Sequence, residues 1–208
     1  MISAFLSAAR TAGVLLHSPE LAESWTKPSA LAEFRVSGLA GHLAGQVGNV
    51  TRFLDVPVPA DVPVMDGIRY YSQHGAEVDV YSENNTRIRV LSEEFAGQSA
   101  AELAARYDES VETVAARLDG LAEDRLVFMF NRWVLPLDQC LLTRILELVV
   151  HTDDLAVSLG VPTPEFAPDV VDAAVTTLAR IAVAKRGQLP VLRALSRRER
   201  ADAVATAF

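Results

Sequence analysis

Apolar positions recur with a helical period over most of the chain, and the places where the rhythm stops divide it into long elements. Ile2, Phe5, Leu6, Ala9, Gly13 and Leu16 share one face of a first helix, which His17-Ser18-Pro19 ends before a short polar linker. TKPSALAEF leads into a second, where Val36, Leu39, Ala40, Leu43, Val47, Val50 and Leu54 stay on one side for about five turns. Pro57, Pro59 and Pro63 then halt it. From Ser99, AAELAARYDESVETVAARLDGLAEDRL is rich in helix formers and carries the stripe Leu103, Tyr107, Val111, Val114 and Leu118, which predicts a third. FMFNRWV reads as a short extended stretch. A fourth long helix is expected from Pro136 to Leu159, with proline in the first turn and Gly160-Val161-Pro162 as the stop, and a fifth from Pro168 to Lys185. Residues 64 to 98 resist assignment: MDGIRYYSQHG is helical but short, and EVDVYSENNTRIRV mixes charges with β-branched residues.

Composition narrows the class. Half of the 208 residues are apolar and 22% are charged, which is globular usage, and the length suits one domain over residues 1–208 whose last ~20 residues form a tail or short helix. A formal charge of -8 opposes binding to nucleic acid or to an anionic membrane. Lys185, Arg186, Arg193, Arg197, Arg198 and Arg200 outnumber Glu199 and Asp202 near the end, which reads as a solvated face rather than a nucleic-acid patch. One cysteine, Cys140, excludes a disulfide framework and suits a reducing, cytoplasmic setting. The apolar start has its charge, Arg10, inside the stretch rather than before it, unlike a signal peptide. No apolar run approaches the roughly 20 residues that cross a bilayer.

Candidate chemistry sits on two long apolar helices. Glu147 and His151 stand about 40° apart around the fourth helix and one turn apart along it, so both can reach one ion. Cys140, Arg144 and Asp154 fall near the same line, in a segment otherwise filled by Leu141, Leu142, Ile145, Leu146, Leu148, Val149 and Val150. Burying a carboxylate and an imidazole there is costly without compensation, which a divalent cation or an Arg144/Glu147/His151 hydrogen-bond network would supply. His42 shares a line on the second helix with Gln46 and Asn49, so two polar stripes converge inside one bundle. Two imidazoles and one carboxylate leave a coordination position open, as in catalytic zinc sites, although the same set suits Fe(II), Ni(II) or Mn(II). Asp154 is either a partner orienting the His151 ring or a surface acid at the helix end. Cys140 lies eleven helical residues, about 16 Å, from His151, so the two form no nucleophilic dyad, and a small buried hydrophobe is the expected role. His17 and His74 lie near breaks, where exposed or capping roles are expected.

Two segments carry a family resemblance. ESWTKPSALAEFRVSGLAGHLAGQV resembles a pattern of Trp, then Pro-Ser/Thr, an aromatic and a helix bearing a His, and LLTRILELVVHTDDLAVSLGVP resembles a "tR-x-x-E-l-v-v-H-x-x-D-L-a-x-S-l-g" segment. Both are similar to the mycothiol-dependent maleylpyruvate isomerase-like family, in the DinB/YfiT-like superfamily. The resemblance implies an all-α fold: a DinB/YfiT-like four-helix bundle with a long crossover, here with an additional C-terminal helix. It also implies a metal, usually zinc, at His42, Glu147 and His151. Phe34 stands where the family usually has Trp. GQLPVLRALSRRERADAVATAF resembles the ending of the short members, so the further C-terminal domain of the full isomerases is not expected.

These readings lead to an expected activity through a low-molecular-weight thiol, which the resemblance implies is mycothiol, acting with a small electrophilic substrate. The open metal position would accept the sulfur and favour its thiolate. The outcome is either S-transfer or cis-trans isomerisation. Arg144 either holds an acidic substrate group or pairs with Glu147, while Gln46 and Asn49 either line the pocket or make ordinary bundle hydrogen bonds. A metal-assisted hydrolase using Asp154 as base, a non-catalytic metal or ligand-binding protein, and a structural polar core are the alternatives. Oligomeric state is left open, a homodimer included.

Overall fold

A computed structural model describes residues 1–74, 80–197 and 199. In chain order the elements are α1 (Ile2–Leu16), α2 (Pro19–Ser24), α3 (Val36–Asp55), α4 (Gly67–His74), α5 (Glu83–Ala96), α6 (Ala100–Leu118), β1 (Leu126–Met129), β2 (Trp133–Pro136), α7 (Leu137–Leu159), α8 (Pro168–Arg186) and α9 (Gln188–Ser196). Helices α1, α3, α6 and α7 form the expected four-helix bundle, in which α1 and α3 each pack against both α6 and α7. The connection from α3 to α6 is the long crossover and carries α4 and α5. Among the described residues, no helix is long and apolar enough to cross a membrane.

The four bundle helices share one core in which Phe5, Leu16, Leu39, Leu43, Leu103, Leu118, Leu141 and Ile145 are all but inaccessible. Each such side chain contributes about 1.5–3 kcal/mol through the area it removes from water. A second, smaller cluster joins the outer layer to α7 through Tyr71, Leu146, Ala174, Ile181, Ala182 and Val191. Helix α7 faces both clusters, which explains why its sequence is apolar nearly all round.

Several boundaries differ from the sequence expectation for local reasons. The linker expected after His17 holds α2: Ser18 accepts the Leu21 N–H at 3.3 Å, Pro19 starts the helix and Leu21 is fully buried. The third long helix was expected to run on to Leu126 but stops at Leu118, where Asp119 is extended and Gly120 adopts φ +69°. FMFNRWV is not one extended stretch but the turn of a hairpin, since Phe130 and Asn131 both have φ 54° and Arg132 N–H bonds the Met129 carbonyl. Helix α7 ends as expected: Gly160 is left-handed, and the Gly160 and Val161 N–H groups reach back to the Val157 and Ala156 carbonyls.

The unassigned stretch contains α4 and α5. Helix α5 lies tightly along α3 because glycines line the contact. A Cβ at Gly41 would stand 2.2 Å from the Ser92 carbonyl oxygen and 2.9 Å from the Ala96 Cβ. The buried residues of α5 are Ser92 and Ala96, so hydrophobic patterning has almost nothing to register. At the other end of the chain Arg180, Arg186, Arg193 and Arg197 are exposed, as expected of a solvated face, whereas Arg198, Arg200 and Asp202 lie outside the described residues.

Candidate metal centre

Helices α3 and α7 cross in the bundle and bring His42 together with Glu147 and His151. The start of α3 is set by the loop before it, whose Lys27 and Trp25 carbonyls accept the Val36 and Ser37 N–H groups at 2.9 and 3.0 Å. His42 thereby faces α7 two turns into the helix. One ligand atom from each of the three side chains lies within 4.8 Å of the others. His42 Nε2 is 3.5 Å and His151 Nε2 is 3.3 Å from the same oxygen, Glu147 Oε2. Those separations exceed the usual hydrogen-bond length of about 2.9 Å. They match the edge of about 3.3–3.4 Å between two ligands held at about 2.0–2.1 Å on a tetrahedral ion. The donor set fits a divalent cation.

The atoms turned away from that point are held. Asp154 Oδ2 lies 2.8 Å from His151 Nδ1, the ring nitrogen turned away from Glu147. His42 Nδ1 meets the Ser92 hydroxyl at 3.3 Å, and Glu147 Oε1 accepts the Tyr71 hydroxyl at 2.7 Å. Each ligand side chain keeps about a fifth of its surface exposed, 21% for His42 and 19% for Glu147 and His151, so one side of the cluster is open to solvent. The His42 and His151 rings meet edge-on at 4.8 Å, and Phe34 lies edge-on to His42 at 6.1 Å.

Electrostatics divide the three groups. Burial pushes His42 down and, with the neighbouring His151, outweighs the nearby Glu147 carboxylate, so the neutral imidazole is favoured. Burial also opposes the His151 cation, but Asp154 and then Glu147 overcome it and raise its pKa to about 9. Glu147 is disfavoured as an anion by burial, yet the His151 and His42 imidazoles beside it and the charge of Arg144 hold it well below the usual carboxylate range.

The remaining candidates separate. Arg144 is buried, yet it does not pair with Glu147; its guanidinium bonds Gln46 Oε1 and, at 3.1 Å, Thr143 Oγ1, and lies 5.4 Å from the centre of the Phe130 ring. Gln46 in turn lies 3.2 Å from His42 Nε2 and bonds the His42 carbonyl at 2.9 Å, so it bridges His42 and Arg144. Asn49 stays outside this group, donating to the Gly45 carbonyl and accepting from Arg52 along its own helix. Cys140 is fully buried, and burial pushes its thiol up to about 12. His17 is exposed and paired with Asp108 at 3.0 Å, while the His74 side chain lies outside the described residues. Two surface grooves, about 390 and 720 Å³, run elsewhere, along α1 and α6 beside His17 and Asp108.

Sequence reasoning missed Tyr71 and Ser92. Both sit on the crossover helices, and the residues they orient lie 76 and 50 positions away. Local periodicity carries no trace of such pairings.

No curated protein and no solved structure matches the chain. The family model described as the mycothiol maleylpyruvate isomerase N-terminal domain matches residues 6–156, a span that includes all of α3, the crossover and the three clustered side chains, and the chain belongs to that family.

Proposed function

We propose that this chain is a metal-dependent, thiol-using enzyme that holds a divalent ion, zinc in our reading, with His42, Glu147 and His151, and uses mycothiol on a small electrophile. The observation that carries this reading is the spacing of the donor atoms: two imidazole nitrogens stand 3.5 and 3.3 Å from one carboxylate oxygen on the open side of a buried cluster. Membership of a family named for a mycothiol-dependent reaction supports the choice of thiol. The chain's own sulfur chemistry supports an external one. Its single cysteine is inaccessible and far from ionising at neutral pH, so a nucleophilic sulfur has to enter from solvent.

The ion, when bound, would favour the thiolate form of a thiol at its open position. The protein's part is to hold the donors. Asp154 keeps the His151 ring oriented through Nδ1, Ser92 does so for His42, and Glu147 supplies the negative charge. The thiolate would add to one carbon of an electrophilic double bond in the second substrate, forming C–S as the π bond breaks. When the adduct leaves, the carbanion so formed would take up the proton the thiol released. Release of the adduct is S-transfer; rotation about the former double bond and expulsion of the thiol is cis-trans isomerisation. A hydrolytic reading needs a free base near the site, and Asp154 is engaged with His151.

Metal analysis of wild type beside His42→Ala and His151→Ala tests the centre, and thiol consumption with mycothiol and a panel of electrophiles tests the reaction. Wild type is expected to retain about one equivalent of metal and each variant to lose most of it. Unchanged metal in both variants removes the site. Full occupancy with no thiol-dependent turnover keeps the site and sinks the transferase and isomerase readings.

A further inference from the structure

The two oxygens of Glu147 have different surroundings. Oε2 faces the two imidazoles, while Oε1 accepts the Tyr71 hydroxyl at 2.7 Å. Tyr71 is itself held from several sides. It is 3% exposed, its ring meets Tyr70 edge-on at 5.0 Å, and its hydroxyl lies 3.0 Å from the Thr143 carbonyl, one turn before Glu147 on the same helix. Its ring packs in the small cluster with Leu146, Ala174 and Ile181, so the hydroxyl has little freedom to follow the carboxylate if that turns.

A carboxylate with two free oxygens can bind an ion through one or both. Binding through both would require Oε1 to leave a charge-assisted hydrogen bond from a buried phenol. We propose that Tyr71 is a positioning residue that confines Glu147 to coordination through Oε2 alone, and so keeps a coordination position free for the substrate thiol. This rests on the metal-centre reading above. It gives the crossover a chemical task, because α4 brings Tyr71 to the face of α7 from which the ligand projects.

The test replaces the ion by cobalt(II), whose visible absorption is strong in four-coordinate sites and weak at higher coordination. Wild type, Tyr71→Phe, Glu147→Ala and the double variant are titrated with cobalt and with zinc against a weak chelator, and circular dichroism checks that each is folded. Wild type is expected to show the strong four-coordinate band. Tyr71→Phe should lose intensity as the second oxygen engages, and should bind zinc about 10–100-fold more weakly because the ligand is no longer oriented. In the Glu147→Ala background the same change should cost no further affinity, whereas a merely structural tyrosine would cost as much in both backgrounds. An unchanged band in Tyr71→Phe overturns the proposal, as does an equal loss of affinity without Glu147. If Tyr71→Phe does not fold, the wild-type spectrum decides: a strong band supports confinement and a weak one overturns it. Wild type that binds no metal sinks the metal centre itself, a result distinct from a loaded centre indifferent to Tyr71.

Discussion

His151 gives the stability of the metal-free protein a dependence on pH. Its folded pKa of about 9 lies above the ordinary value of 6.5, so the proton it holds stabilises the fold fully below about pH 6.5 and progressively less as pH rises towards 9. Glu147 has the opposite sign: held low, it adds stability above about pH 4.5 that is lost as pH falls. Thermal melts in chelator are therefore expected to drop between pH 6.5 and 9. Asp154→Asn should flatten that limb, because its amide no longer favours the imidazolium. Zinc should flatten it as well, since a metal-bound imidazole is already neutral. A melting temperature that holds level across this range in chelator would show that His151 is not protonated in the folded protein.

At the scale of elements, the seam between α3 and α5 makes the sharpest forecast. Gly41→Ala would drive a methyl into the Ser92 carbonyl at 2.2 Å, backbone that cannot swing aside, and is expected to destabilise the protein by about 1–3 kcal/mol or more. It should weaken zinc binding too, because Ser92 faces the His42 ring. Gly45, one turn on, has its nearest neighbour at 3.6 Å, so Gly45→Ala should be tolerated or stabilise by up to about 1 kcal/mol. Urea unfolding of both variants beside wild type gives the comparison. The same seam shows what the sequence could and could not reveal. Leu39, Leu43 and Val47 on α3, and Leu141, Ile145 and Leu148 on α7, announce their helices because they bury large side chains at helical spacing. Helix α5 buries a serine and an alanine against glycines, and α2 depends on a cap and a proline, so neither writes a stripe. His42, Glu147 and His151 were legible because polar residues interrupt apolar faces. Tyr71 and Ser92 were not, because their partners are distant in sequence and each is unremarkable among its neighbours.

For the whole molecule, the centre ties the first half of the bundle to the second: His42 and Glu147 are 105 residues apart in the chain. An ion bound only by the folded state should stabilise it by about 2.7 kcal/mol at a hundredfold excess over its dissociation constant. At about 2–4 °C per kcal/mol for a chain of this size, that is a rise of roughly 5–11 °C in Tm. Calorimetry of chelator-treated protein with and without zinc measures it, and His42→Ala should abolish the rise.

Tyr71 belongs at once to the small outer core and to the carboxylate of the centre. Whatever fixes Glu147 therefore also bears on a ring that shares its cluster with Ala174 and Ile181 of α8. An ion held by Glu147 would then couple its release to the breathing of that outer layer. Amide hydrogen exchange along α8 should slow when the protein is loaded, and Ile181→Ala, on a helix that carries none of the three candidate ligands, should hasten both that exchange and the escape of the ion.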